Sequence, residues 1–356
     1  MDYRPAMGPR TGIGRYVAGL AGALPALGCS LSLYGVFRRG NVPAVRRAPP
    51  GTKLVAWPIY SRLMDVLGVA RIFPADRVVG GCDLFHHTNF LRARVHPRTP
   101  EVMTLHDLTF LHGEAWHEPR AVGALRRVVE RARVECRAFC VPSEATAVDC
   151  EERLGMERSR IFVTPLGVDP RWFALPSAPP SPRPYLLAVG TLEPRKNHAR
   201  LIRAFRSARL EAVDLRIAGV RGWLCDEVHR EAEQTPGVEL LGQVEESHLE
   251  QLVAGAVAVA YPSLAEGFGL PVLEAMAAGR PVLTSDLDPL RSLAGEAALL
   301  VDPTDELALA GALRAIVEDQ PLRERLERAG PARARAFGWN DCAEATLRCY
   351  RAVIGK

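Results

Sequence analysis

The chain has 356 residues, 48% of them hydrophobic, with 45 Lys+Arg against 41 Asp+Glu for a formal charge of +4. Length favours two domains and the composition is that of an ordinary soluble globular protein. No apolar run reaches about 18 residues, so no spanning helix is expected, and the opening MDYRPAMGPR has no signal-peptide core, which points to the cytoplasm.

Before the first glycine turn stands only MDYRP, where a doubly wound domain normally opens with an apolar strand. The sequence therefore predicts either a stub strand or a translation start placed too late. GPRTGIGRYVAGL (8–20) sets Gly12 and Gly14 ahead of a helix over 13–27, where backbone amides can face an anion. Val17 stands where a dinucleotide fingerprint needs glycine or alanine, so that motif fails.

CSLSLYGVF, KLVAW, CDLFHH, EVMTLHD, RAFCVPS and IFVTPLG read as strands, with helices over 120–136 and 144–154. EVMTLHD ends at His106 and Asp107, so His106 is a candidate to hydrogen-bond a sugar hydroxyl. His112 and His117 follow, but the spacing fits no standard metal-ligand pattern, and no metal is expected. Ser143 sits at a strand-to-helix turn without the G-x-S-x-G elbow, which argues against a serine hydrolase.

FALPSAPPSPRP (173–184) holds five prolines and reads as an interdomain linker. The alternation then restarts with YLLAVG, DLRIAG, VELLG, AVAVAYPS, PVLTSD and AALLVD as strands, and WNDCAEATLRCYRAVI as a final helix. The predicted organisation is thus α/β throughout: a first domain over 1–172, the linker, a second domain over 185–338, and a closing helix in 339–356. Two such domains joined by a hinge suggest a ligand in the cleft between them.

The eight cysteines include no C-x-x-C pair and read as reduced thiols. Charge is uneven: residues 1–172 carry 24 Lys+Arg against 16 Asp+Glu, while 173–356 carry 21 against 25. A basic first half suits an anionic partner such as a membrane surface, a lipid-linked phosphate or a nucleic acid, and an arginine-rich composition explains it equally well. Arg126, Arg127, Arg131, Arg133 and Arg137 fall along one predicted helix. Only Lys53, Lys196 and Lys356 are lysines, so a compact ammonium at 196 stands out among 42 arginines.

Lys196 lies in LLAVGTLEPRKNHARLIRAF (186–205), where a buried strand runs into Gly190 and a loop carries Glu193, Arg195 and Lys196. Asn197 reads as the N-cap of the following helix. Arg195 offers a planar fork and Lys196 a point charge, together able to neutralise a diphosphate.

YPSLAEGFGLPVLEAMAAG (261–279) places Glu266 and Glu274 eight positions apart across strand, glycine loop and helix start. The spacing arises by chance about once or twice in such a chain, so its information lies in position. Gly267 and Gly269 permit close backbone approach, and the amides of Phe268, Gly269 and Leu270 can donate to ligand oxygens. Glu266 can accept from one set of hydroxyls and Glu274 from a second, as a nucleotide sugar would require.

With these residues assembled, the chain resembles retaining glycosyltransferases of glycosyltransferase family 4, group 1 type. The resemblance rests on SLAEGFGLPVLEAMAAGRPVLTSD, AVGTLEPRKNHARLIRAF, LGQVEESHLEQLVAGAVAVAYPS, MTLHD and GIGRY. It implies the GT-B fold, two Rossmann-like α/β domains facing across a cleft, with the final helix crossing back to the first domain. It further implies that Glu274 binds the nucleotide ribose, Glu266 the donor-sugar hydroxyls, and Arg195 and Lys196 the diphosphate. Phe268, Gly269 and Leu270 would contact the donor, Gly12 to Gly14 would face the diphosphate and acceptor, and His106 would lie beside the sugar.

The implied activity is transfer of a hexosyl unit from GDP-mannose or a UDP-hexose to a glycan, lipid-linked or small-molecule acceptor in cell-surface polysaccharide synthesis. Retention of configuration is implied by the family alone. The nucleotide sugar is a co-substrate, no cofactor or nucleic acid is implied, and the basic first domain suits peripheral contact with the inner membrane face. A sugar-nucleotide epimerase of similar fold and a non-catalytic sugar-nucleotide-binding protein are the rival readings.

Overall fold

Runs of Val, Leu, Ile and Ala too short for a helix alternate with helical segments of 4 to 17 residues, and in the computed structural model each short run is a parallel strand. The structure describes residues 1–8, 11–38, 48–59, 74–112, 116–176 and 181–355. They form two units: Met1–Leu111, Arg120–Gly167 and Gly338–Lys356 in one, His112–Pro119 and Val168–Phe337 in the other.

The first unit contains β1 (Leu31–Arg38), β2 (Thr52–Ile59), β3 (Phe85–His87), β4 (Glu101–Thr104), β5 (Ala138–Val141) and β6 (Ile161–Val163). Its helices begin with α1 (Gly12–Ala23), α2 (Pro119–Glu135) and α3 (Glu144–Leu154). β1 pairs with β2, and β3 to β6 pair in sequence order, all parallel. Burial on both faces is what such parallel strands demand, and Met103, Phe139, Val141 and Ile161 pack against Val129, Ala132, Cys150 and Leu154 of the helices.

A stub of three residues stands in the place of an opening strand. The Met1 amino group donates to Ser32 O at 2.8 Å, Tyr34 N to Met1 O at 2.8 Å, and Tyr3 N to Tyr34 O at 2.8 Å. On the other side Asp2 N donates to His86 O at 2.9 Å. Met1–Tyr3 therefore lies between β1 and β3, giving the order β2, β1, stub, β3, β4, β5, β6 of a doubly wound sheet. The helix expected over 13–27 stops at Ala23: Pro25 has no amide proton, the next turn tightens to 3-10 over Leu24–Leu27, and Gly28 ends it at φ 78°.

The second unit carries β7 (Tyr185–Val189), β8 (Asp214–Ala218), β9 (Val238–Gly242), β10 (Ala258–Tyr261), β11 (Val282–Ser285) and β12 (Leu299–Val301). Between and after them run α4 (His198–Ala208), α5 (Asp226–Glu233), α6 (Glu246–Gly255), α7 (Leu270–Ala277), α8 (Leu290–Ala294), α9 (Glu306–Glu318) and α10 (Gln320–Ala334). The sheet order is β12-β11-β10-β7-β8-β9. The chain builds outward from β7 to β9, then returns to β10 on the other side of β7. The switch of direction thus falls between β7 and β10, the place where open α/β sheets bind ligands. Leu186, Ala188, Leu215, Ile217 and Ala260 pack against Leu201, Phe205, Leu309 and Ile316.

The units divide at Gly167 and Val168, and residues 112–119 group with the second unit although sequence order places them inside 1–172. Trp223 Nε1 donates to Trp116 O at 2.5 Å, and the rings of His117 and Trp223 stack at 5.7 Å, which ties that segment to the loop after β8. In the proline-rich 173–184, Ala174 closes the 3-10 turn Pro170–Ala174 of the second unit, and 177–180 lie outside the described residues. No helix among the described residues is long and apolar enough to cross a membrane.

The last helix, α11 (Trp339–Ile354), belongs to the first unit. It buries Cys342, Ala345, Thr346, Cys349 and Tyr350 at helical spacing against α1, β5 and β6, and Tyr350 Oη lies 2.6 Å from His86 Nδ1. Its first residue, Trp339, lies over Gly19 of α1, where a Cβ would overlap the indole ring. Gly19→Ala is therefore expected to destabilise the protein by about 1–3 kcal/mol, the usual cost of overpacking. In a Trp339→Ala background the same substitution should cost little, and thermal denaturation of the four proteins measures the coupling.

Candidate functional site

β7 and β10 are neighbouring parallel strands, so the loops leaving their carboxyl ends lie side by side. The first loop passes Gly190 and Glu193 into a 3-10 turn, Pro194–Lys196, before α4. The second runs from Pro262 through Gly269 into α7. Leu264 N donates to Arg195 O at 2.7 Å, clamping one loop to the other.

This juxtaposition joins residues 70 positions apart. Arg195 Nη1 donates to Glu266 Oε2 at 2.9 Å and to Ala265 O at 3.0 Å, while Arg195 Nε lies 2.8 Å from Glu193 Oε1. Lys196 Nζ donates to Glu266 Oε1 at 2.5 Å and to Tyr261 Oη at 2.7 Å. Both oxygens of one carboxylate are thus held by the two cations. Glu193 and Lys196 are buried and the Glu266 side chain is only 8% exposed.

Burial alone would raise the Glu266 carboxyl, but the adjacent Lys196 and Arg195 charges outweigh it and hold it at about 2. Burial lowers the Lys196 ammonium, opposed by Glu266 and reinforced by Arg195. His198, buried at the start of α4, is lowered to about 4 by burial and the Lys196 charge and stays neutral at pH 7.

Asn197 caps α4 differently from expectation. It sits in the left-handed region at φ 62° and its side chain makes no cap bond. Instead Nδ2 donates to Pro262 O at 3.0 Å and Pro303 O at 2.7 Å, and Oδ1 accepts from Arg200. The amide group thereby stitches three strand-end loops together.

Glycine is required at two points. At Gly190 the backbone requires it: φ is 153°, which L side chains rarely adopt, while the Lys196 stem lies at ordinary contact distance, 3.4–3.6 Å from where a Cβ would be. At Gly269, φ is 107° and a Cβ would overlap Leu290. Gly267 and Phe268 are buried on the approach to Leu270, and Phe268 meets Phe337 edge-on at 6.0 Å. Among the described residues no backbone carbonyl accepts from the amides of Phe268, Gly269 or Leu270. They open α7, where the helix dipole favours negative charge. Glu274, 4% exposed, lies one turn further along the same helix.

Gly12, Gly14 and His106 lie in the first unit. Thr11 caps α1 by accepting from Gly14 N at 3.1 Å, with Gly12 the first helical residue. Tyr16, two residues beyond Gly14, meets the His106 ring edge-on at 4.9 Å. His106 Nε2 donates to Thr88 O at 2.8 Å, and burial lowers its imidazole, so the neutral ring carries its proton on Nε2. Among the described residues no three His, Cys, Asp or Glu side chains converge as a metal site requires.

The sequence reading did not single out Tyr261. A hydroxyl ending an otherwise aliphatic strand, AVAVAY, was the available signal.

Comparison with known proteins completes the picture. A family model described as glycosyl transferases group 1 matches residues 175–333, and one described as Glycosyltransferase Family 4 matches 10–172. The chain is a group 1 glycosyltransferase of the GT-B type. This glycosyltransferase is 28% identical over 285 residues to an O-antigen chain mannosyltransferase B of Escherichia coli, covering 75% of this chain and 74% of that one. It is 26% identical to a D-inositol 3-phosphate glycosyltransferase of Acidothermus cellulolyticus, over 99% and 88% of the two chains. Among solved structures, sucrose-phosphate synthase from Thermosynechococcus elongatus superposes with TM-score 0.75 at 22% identity, over 99% and 97% of the chains. Anabaena HepE, solved with UDP and glucose, gives 0.73 at 18% over 96% of each.

The ion-paired cluster has a pH signature. The Glu266 carboxyl is depressed to about 2 from 4.5, so its contribution, on the order of 3 kcal/mol, is complete above pH 4.5 and is lost as pH falls towards 2. The melting-temperature gap between the wild type and Glu266→Gln should therefore be widest near neutrality and narrow steadily below pH 4.5. A gap of constant width from pH 6 to pH 3 would contradict this account.

Proposed function

We propose that this glycosyltransferase moves a hexosyl unit from GDP-mannose or a UDP-hexose to a hydroxyl of a glycan, lipid-linked or small-molecule acceptor, with retention of anomeric configuration. The observation that carries the reading is the convergence of Arg195 and Lys196 on buried Glu266 at the sheet's switch point, beside the amides that open α7. A diphosphate offers these two cations and amides a better-matched acceptor set than a single carboxylate does. Once they turn to phosphate oxygens, Glu266 has lone pairs for the sugar hydroxyls, and Glu274 serves the ribose.

Catalysis on this reading is electrostatic. The bond from the anomeric carbon to the diphosphate breaks as negative charge builds on the leaving phosphate, where Arg195, Lys196 and the amides of Phe268, Gly269 and Leu270 stabilise it. The acceptor hydroxyl attacks from the same face and passes its proton to the departing phosphate oxygen, so configuration is retained. The two cations supply the charge neutralisation, and the reaction proceeds without a metal. His106, with its proton committed to Thr88 O, presents Nδ1 as an acceptor for a sugar hydroxyl, and the Gly12–Gly14 turn serves the diphosphate and acceptor.

The mannosyltransferase and inositol-phosphate glycosyltransferase names among the relatives, and UDP with glucose in HepE, support a nucleotide-sugar donor. On α2, Arg126, Arg127 and Arg131 are exposed, which with the basic first half supports polysaccharide synthesis on a lipid-linked acceptor at the inner membrane face.

The deciding assay is acceptor-dependent release of GDP or UDP, with the product anomer read by NMR. Lys196→Ala should lower turnover about 10²–10³-fold, as removal of a donor to developing negative charge does elsewhere, measured below its own melting temperature because the buried pair with Glu266 is also lost. Near-normal turnover in that variant would take Lys196 out of the mechanism. In thermal denaturation GDP or UDP should raise the melting temperature, since a ligand of the folded state stabilises it.

A further inference from the structure

Lys196 is an ammonium on a long stem, and two fixed surfaces define where it ends. Its methylenes lie across the Gly190 backbone. Its three protons are divided: one goes to Glu266 Oε1 at 2.5 Å, one to Tyr261 Oη at 2.7 Å, and the third meets no protein acceptor among the described residues. The Tyr261 ring adds its face, with the centroid 5.0 Å from Nζ.

The two acceptors differ in kind. Glu266 is carried by a loop, is charged, and is shared with Arg195. Tyr261 is the last residue of β10, is 3% exposed, and is registered against Thr284 of β11, whose hydroxyl donates to Tyr261 O at 2.9 Å. A group mounted on a central strand holds its place better than one on a loop. It is also neutral, since burial pushes its phenol well up, so it accepts a hydrogen bond from the ammonium without adding a charge of its own.

We propose that Tyr261 is a positioning residue: its hydroxyl holds the Lys196 ammonium at the phosphate site while Glu266 turns from that ammonium to the sugar. This rests on the reading of Arg195 and Lys196 as the diphosphate-binding cations. A diphosphate accepts a hydrogen bond from the third N–H and then replaces Glu266 as acceptor of the first. Through that exchange Tyr261 is the partner that does not change. The other charged or titratable groups facing the ammonium are Glu266, Arg195, Glu193 and neutral His198.

The test is Tyr261→Phe, which keeps the ring and removes the acceptor. Affinity for GDP or UDP, whichever stabilises the wild type, is measured from pH 6 to 11. The expected result is about 3- to 10-fold weaker binding at pH 7, the size of one lost hydrogen bond. The hydroxyl favours the charged ammonium, so its loss should also move the alkaline limb of binding down by about half a pH unit. In a Lys196→Ala background Tyr261→Phe should change neither quantity, because its effect passes through Lys196.

Unchanged affinity and limb in Tyr261→Phe overturn the positioning role, as does an equal loss in the Lys196→Ala background. If neither GDP, UDP nor ADP stabilises the wild type, the diphosphate reading itself falls and the proposal with it. Should Tyr261→Phe not fold, 3-fluorotyrosine at position 261 keeps the packing and weakens the acceptor. It should shift affinity in the same direction, and no shift overturns the proposal.

Discussion

The structure of the second unit turns on a carboxylate held between two cations. Glu266 bonds Arg195 through one oxygen and Lys196 through the other, in a place that solvent barely reaches. An isolated charge there would be costly, and each of the three makes the others tolerable. Glu193 on Arg195 and the Tyr261 hydroxyl on Lys196 complete the set. The surrounding features serve this cluster: the Lys196 stem resting at Gly190, the Leu264–Arg195 clamp, and the Asn197 side chain bonded to loops after β10 and β12.

On the proposed function, such a cluster serves binding as well as the fold. Its carboxylate would stand in for a ligand anion, occupying the cations until a diphosphate replaces it. Glu266 would then be released with its lone pairs directed at the same site, so that one set of ion pairs would link recognition of the two ends of a nucleotide sugar.

The first unit shows the same economy in neutral groups. Tyr16 Oη, Thr104 Oγ1, His86 and Tyr350 Oη form a buried chain of hydrogen bonds from α1 through β4 and β3 to α11, with distances of 2.6–2.7 Å. His86 is pushed well down by burial and stays neutral, so the chain has no charge to desolvate. Tyr16 ends it against His106, which connects the C-terminal helix to a residue marked out by the sequence for its position at a strand end.

Much of this was legible before any coordinates. Strand and helix periodicities are local, so α3 at 144–154 and α11 at 339–354 coincide with their sequence-drawn limits, and every expected strand has an observed counterpart. The strand–glycine loop–helix context of Glu266 and Glu274, and the strand-end loop that carries Arg195 and Lys196, were likewise visible as types of residue in types of place. Three things were not. The Arg195–Glu266–Lys196 pairing depends on β7 and β10 being neighbours, and strand order is a long-range property that no local pattern encodes. Asn197 was read as a cap because caps are local, whereas its left-handed backbone frees its side chain for loops 65 and 106 residues away. Residues 112–119 were assigned by sequence order to the first domain, but a hydrogen bond and a stacked ring attach them to Trp223. The sequence by itself determined the elements, the fold class and the kinds of chemistry available. The tertiary structure alone decided which charges meet, because that depends on the order in which strands lie side by side.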